Sequence, residues 1–161
     1  MKDMLLVSGC LIGQKCRYNM LTEVIPELKE MVDKGEAVPI CPEQLGGLPT
    51  PRPPAEIRGG DGIKVLSGRA KVINSEGVDV TKKFIKGASD ALVVAKDNNV
   101  TEAVFKTRSP SCGCGGIYDG TFSGTMKKGD GVTTALLMRH GINVITEEEF
   151  VRKMHGGIKD G

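Results

Sequence analysis

Four short apolar runs punctuate the chain: Met4-Leu5-Leu6-Val7, Ala37-Val38-Pro39-Ile40, Ala103-Val104-Phe105-Lys106 and Ile142-Asn143-Val144-Ile145. Each is bounded by turn-forming residues and dominated by aliphatic or β-branched side chains, the pattern of a buried strand. Between them, apolar positions recur at helical spacing. From Thr22 to Asp33, Ile25, Leu28 and Val32 share one face, with Pro26 in the tolerated first turn and Gly35 as a stop. Asp79 is placed to cap a longer helix carrying Phe84, Ile85, Ala88, Leu92 and Ala95. Asp130 is placed to cap a third, through Ala135, Leu136 and Leu137 to Gly141, and Thr146-x-x-Glu149 reads as the capping box of a last helix ending near Gly156.

Helices alternating with strands predict parallel pairing, because parallel neighbours need a crossover of a dozen or more residues. The expected fold is a small, single-domain, Rossmann-like α/β fold over residues 1–161, with three layers and a mostly parallel four-stranded sheet. Two Gly- and Pro-rich stretches interrupt the alternation. One runs from Gln44 to Val78, with a hairpin expected around Lys64 to Ile73, and the other from Arg108 to Gly129. Both begin where strands end, and long loops so placed in a compact domain are commonly functional.

Composition narrows the function classes. The chain has 161 residues, 39% hydrophobic and 26% charged, with no apolar window long enough to span a membrane. The apolar run near the N-terminus is too short for a secretory signal, so a soluble, cytoplasmic protein is expected. A formal charge of +2 without a basic block, no Trp and few aromatics speak against a nucleic-acid polymer as partner, though not against a free nucleobase. Five cysteines in a chain expected to stay reduced are unsuited to a disulfide framework.

Cys10 follows the first predicted strand after Ser8-Gly9, Cys41 directly follows the second, and Cys112 follows the third after Arg108-Ser109-Pro110-Ser111. Ligand crevices in open parallel sheets lie at the carboxyl ends of the strands, where the strand order reverses. With order 2-1-3-4, Cys10 and Cys112 flank that point. A closed zinc site would need Cys16 or Cys114 as a fourth ligand, since His140 and His155 fall in later elements. Three thiolates suit a four-iron four-sulfur cluster with one open iron acting as a Lewis acid. Ordinary buried thiols are the plain alternative. Cys16 and Cys114 lack the tight spacing of known cluster or zinc runs and are read as non-ligands, with a persulfide carrier or a resting fourth ligand as their other roles.

Glu43, two residues past Cys41, is placed to move a proton. The glycines at 113, 115 and 116 allow backbone N–H groups to face a cluster or a substrate oxygen. Arg52, in the stiff Pro51-Arg52-Pro53-Pro54 segment, and Arg17 and Tyr18 are candidates to hold a polar substrate.

Together these motifs carry a resemblance. Cys10-Leu-Ile-Gly13 with Cys16-Arg17-Tyr18, Cys41-Pro-Glu43 with Gly46-Gly47, Pro51-Arg52-Pro53 and Glu56, and Ser109-Pro-Ser-Cys112-Gly113 with Tyr118-Asp119-Gly120 occur in the order found in the thiouracil desulfidase family, which the chain resembles from about Leu5 to Ile145. The resemblance implies a four-iron four-sulfur cluster on Cys10, Cys41 and Cys112, and hydrolytic, non-redox removal of sulfur from a thiolated nucleobase or nucleoside such as 4-thiouracil, whose sulfur binds the open iron. It implies Glu43 as acid/base and Ser109 as active-site serine, with Arg52 and Ser111 as substrate contacts. The rival function from another class is an iron-sulfur, metal or sulfur carrier without catalysis of its own. One departure is visible: where the family commonly reads Arg-Tyr-Asp-Gly, this chain has Arg17-Tyr18-Asn19-Met20.

Overall fold

The computed structural model describes residues 4–155. In chain order its elements are β1 (Met4–Ser8), a 3-10 turn (Gly9–Ile12), α1 (Pro26–Asp33), β2 (Ala37–Ile40), α2 (Pro42–Leu45), β3 (Ala55–Arg58), α3 (Gly62–Leu66) and β4 (Lys71–Asn74). There follow α4 (Thr81–Asp97), β5 (Val100–Phe105), β6 (Gly116–Tyr118), β7 (Met126–Lys128), α5 (Val132–Arg139), β8 (Asn143–Thr146) and α6 (Glu147–His155). The main sheet has four strands in the order β2-β1-β5-β8, all parallel, so the predicted strands pair in the order 2-1-3-4.

Alternation along β1 sends its side chains to two cores. Leu5 and Val7 pack with Leu28 of α1 and Phe150 of α6, whereas Leu6 packs with Ala91 and Ala95 of α4 and Leu137 of α5. The crossover from β1 to β2 therefore covers one face of the sheet and the crossover from β5 to β8 the other. The chain reverses direction across the sheet between β1 and β5. That is the switch point, and the chain leaving β1 there carries Cys10 while the chain leaving β5 leads to Cys112.

The stretch from Gln44 to Val78 departs from expectation. The antiparallel pair is β3 with β4, and Lys64 lies in a helical turn between them. Asp61 explains the difference, because its carboxylate accepts the Lys64 N–H at 3.2 Å and caps α3. This subdomain has its own core, in which Ile57, Val65 and Val72 pack on Phe84 and Ala88 of α4. The second interruption folds as the β6–β7 hairpin.

Helix starts also shift. α1 begins at Pro26 rather than Thr22, because Glu23 and Ile25 donate their N–H groups to Cys10 and Leu11 carbonyls and keep that segment extended. Asp130 does not cap α5; its carboxylate accepts the Gly115 N–H at 2.8 Å, and Gly131 holds the N-cap position. Asp79 does receive the N–H of Thr81, the first residue of α4, and Thr146 that of Glu149 in α6. Gly156, the expected end of α6, lies outside the described residues. Among those residues no helix is long and apolar enough to cross a membrane.

Two glycines fix where β2 delivers Cys41. A Cβ on Gly87 would stand 1.9 Å from the Pro42 carbonyl oxygen, and one on Gly46 would stand 2.0 Å from the Lys83 carbonyl oxygen. α2 and α4 thus touch backbone to backbone, which offsets the helix propensity lost at Gly87. Gly87→Ala should force the two apart, costing about 1–3 kcal/mol in a denaturant titration.

Candidate metal centre

The carboxyl ends of β2, β1 and β5 open into one cleft of about 580 Å³ lined by Cys10, Cys16, Cys41, Cys112, Glu43, Arg52, Ser109 and Ser111, among others. Every predicted site residue therefore reaches the same space. Cys114 does not line it; its thiol donates to the Val144 carbonyl at 3.4 Å and packs into the core beneath β8. His140 and His155 stand apart as well, the first exposed at the end of α5 and the second 3.3 Å from Glu27.

Each thiol is held by local structure. Cys10 sits in the 3-10 turn that Gly13 closes at a φ of 97°. Cys41 is the N-cap of α2, with Pro42 at the first helical position. Cys112 rides on a hydroxyl-built turn in which Ser109 Oγ accepts the N–H groups of Ser111 and Cys112, each at 3.1 Å. The Cys112 carbonyl accepts the Thr134 hydroxyl at 2.8 Å, anchoring the turn to α5. The N–H groups of Gly113 and Gly115, expected to face the ligand space, are instead donated to the Ser109 carbonyl and the Asp130 carboxylate.

Cys16 is closer to the others than its spacing implies. Its carbonyl accepts the Cys41 S–H at 3.4 Å, and its side chain packs in one cluster with Cys10 and Cys41. The neighbouring Cys10 thiol is the main cause raising the Cys16 pKa to about 11. The Cys41 thiol is pushed up chiefly by its bond with Cys16, and the Cys112 thiol by burial. A metal entering this cleft must therefore displace protons. Among the described residues no three Cys, His, Asp or Glu side chains converge tightly enough to hold a single metal ion. Several soft thiols lining one cleft are the donor chemistry that iron–sulfur clusters take.

Beside the thiols stands a polar constellation. Arg52 donates Nε–H to Glu43 Oε2 at 2.9 Å and also reaches it through Nη2 in a closer contact. Glu43 Oε1 faces Ser111 Oγ at 3.5 Å, and Ser111 Oγ lies 3.1 Å from Ser109 Oγ and 3.5 Å from Cys112 Sγ. This row of oxygens runs from the carboxylate to a thiol, and it can relay a proton to a group bound beside Cys112.

A buried ion pair that no sequence motif announces stands at the end of β5. Glu147, 2% exposed, accepts Lys106 Nζ at 2.7 Å and the Thr107 N–H at 2.8 Å, fixing the chain as it leaves β5 toward Cys112. Its signal is the sheet register: Phe105 pairs with Thr146, so the residues that follow each must emerge side by side.

The turn after Cys16 is held by one of its own side chains. Asn19 Oδ1 accepts the Leu21 N–H at 3.0 Å, as an aspartate would, and Met20 adopts a φ of 63°, the left-handed region where glycine is unstrained. Met20→Gly should raise stability by about 0.5–1 kcal/mol in a denaturant titration.

The protein is 49% identical over 146 residues to YbbK of Bacillus subtilis (strain 168), an alignment covering 91% of this chain and 97% of the relative. Its structure matches that of the [4Fe-4S]-dependent thiouracil desulfidase TudS with a TM-score of 0.83 and 42% identity, covering 94% of this chain and 95% of that one. The family model for 2-thiouracil desulfurase matches residues 5–149, and the chain belongs to that family.

Proposed function

We propose that this protein hydrolyses the carbon–sulfur bond of a thiolated nucleobase such as 4-thiouracil, with Cys10, Cys41 and Cys112 holding a four-iron four-sulfur cluster. Family membership and the likeness to a [4Fe-4S]-dependent thiouracil desulfidase support the substrate class and the cofactor. The observation that carries the reading is the placing of Glu43 Oε1 beside Ser111, itself 3.5 Å from Cys112 Sγ. A carrier needs ligands but has no use for a carboxylate aimed at them.

When bound, a cluster held by three thiolates supplies an open iron, a soft Lewis acid for the substrate's sulfur. The chain's own residues do the rest. Glu43 takes a proton from water through Oε1 as the oxygen adds to the thiocarbonyl carbon, and returns it as the sulfur departs. Ser111 and Ser109 hold that water or the substrate in line with Oε1. Apolar walls such as Leu48 and Phe84 limit competing water in the cleft. The carbon exchanges sulfur for oxygen, water supplies both protons of the hydrogen sulfide, and no electrons enter.

The test is to mix anaerobically reconstituted protein with 4-thiouracil without any reductant. Loss of the thiocarbonyl absorbance with equal release of uracil and sulfide over several turnovers is expected. Turnover that requires an electron donor would replace hydrolysis by reductive desulfuration.

A further inference from the structure

Arg52 enters the cleft lining, yet nothing of its guanidinium is left for a ligand. A guanidinium has five N–H donors. Nε–H goes to Glu43 Oε2; Nη1 donates to the Pro49 carbonyl at 3.1 Å and Thr50 Oγ1 at 2.9 Å; Nη2 donates to the Cys16 carbonyl at 2.9 Å and to Glu43 Oε2. All five are engaged within the protein, and the side chain is 4% exposed. An arginine that bound substrate would have to break one of these bonds in a place where water cannot replace it.

Every Arg52 contact with the carboxylate falls on Oε2. Oε1 is left with the long contact to Ser111 Oγ. The fork thus fixes both the position and the rotation of the carboxylate, turning one oxygen to the protein and the other to the cleft. Through the Cys16 carbonyl the same fork ties down the loop after Cys10, so one side chain joins three segments that meet around the thiols. We propose that Arg52 is a positioning residue that aims Glu43 Oε1 at the reacting carbon and does not itself bind substrate, a role that rests on the reading of Glu43 as the acid/base group.

A lysine keeps the charge but cannot hold one oxygen through two donors while bonding two carbonyls and a hydroxyl. Arg52→Lys in the cluster-loaded protein should lower kcat about 10- to 100-fold, as misplacement of a reacting group by about an ångström does, with KM within about twofold of wild type. Added guanidinium ion should restore part of the kcat of Arg52→Ala.

A second readout is independent of turnover. 4-Thiouracil binding, followed by its absorbance, should have the same Kd in the Glu43→Gln protein and in the double variant that adds Arg52→Lys. A Kd or KM raised tenfold by Arg52→Lys would make Arg52 a substrate contact and overturn the proposal while sparing the desulfidase reading. Wild-type kcat in Arg52→Lys would overturn it as well. Full turnover by Glu43→Gln alone would take down the glutamate's role, and the positioning role with it. Should the arginine variants fail to fold, Thr50→Val removes from a partly exposed site one acceptor, which Arg52 Nη1 shares with Gln44 Nε2, and Gln44→Ala serves as the control for the second bond. Thr50→Val should lower kcat about two- to fivefold at unchanged KM, and an unchanged kcat or a raised KM would count against the proposal.

Discussion

Glu43→Gln should lower kcat for 4-thiouracil by about 10²–10⁴-fold, with about four irons and four sulfides per chain retained. Glutamine is nearly isosteric and its amide oxygen can accept the two Arg52 donors that now meet Oε2, so the surrounding structure has little reason to move. Only the capacity to accept a proton at the cleft-facing atom is lost. The measurement is steady-state desulfuration beside iron and sulfide analysis of the same sample. Loss of activity with the cluster intact separates an enzyme from a carrier, for which this substitution would change nothing. Loss of the cluster itself would make Glu43 part of the metal site instead.

The second large effect concerns the ligands. Ser at position 10, 41 or 112 should reduce bound iron from about four per chain to near none, because a serine oxygen is a poor ligand for soft iron–sulfur chemistry. Cys114→Ser should keep the full complement, since that thiol points at the Val144 carbonyl away from the cleft. Cys16→Ser is the sharper comparison. Cys16 contacts both Cys10 and Cys41, but it sits on the loop beyond the 3-10 turn, whereas the three proposed ligands follow the ends of three adjacent strands. It should retain the cluster. Iron lost in Cys16→Ser but kept in one of the other three would redraw the ligand set.

Much of this is legible in the residues. The strand runs at 4–7, 37–40, 103–106 and 142–145 each fall within or beside an observed parallel strand, because an aliphatic run between turn formers has few other ways to be buried. Given a parallel order, convergence of Cys10, Cys41 and Cys112 follows from topology. The hairpin is misplaced in sequence because Lys64 to Leu66 carry no periodicity that separates one helical turn from a strand; the decision lies with the cap at Asp61. Asp130 misleads for the opposite reason, a good capping residue whose carboxylate is taken by a tertiary partner, Gly115. The full engagement of Arg52 is invisible in sequence. It depends on carbonyls of Cys16 and Pro49 that only the fold brings to one point.

Whether three thiolates leave one iron open to the substrate's sulfur can be read at the iron itself, by Mössbauer spectroscopy of Glu43→Gln protein reconstituted with iron-57, with and without 4-thiouracil. About one iron in four should change its spectrum on adding the substrate while the remainder stay as they were. A spectrum unmoved by 4-thiouracil, or shifted equally at all sites, would contradict an iron open to the substrate.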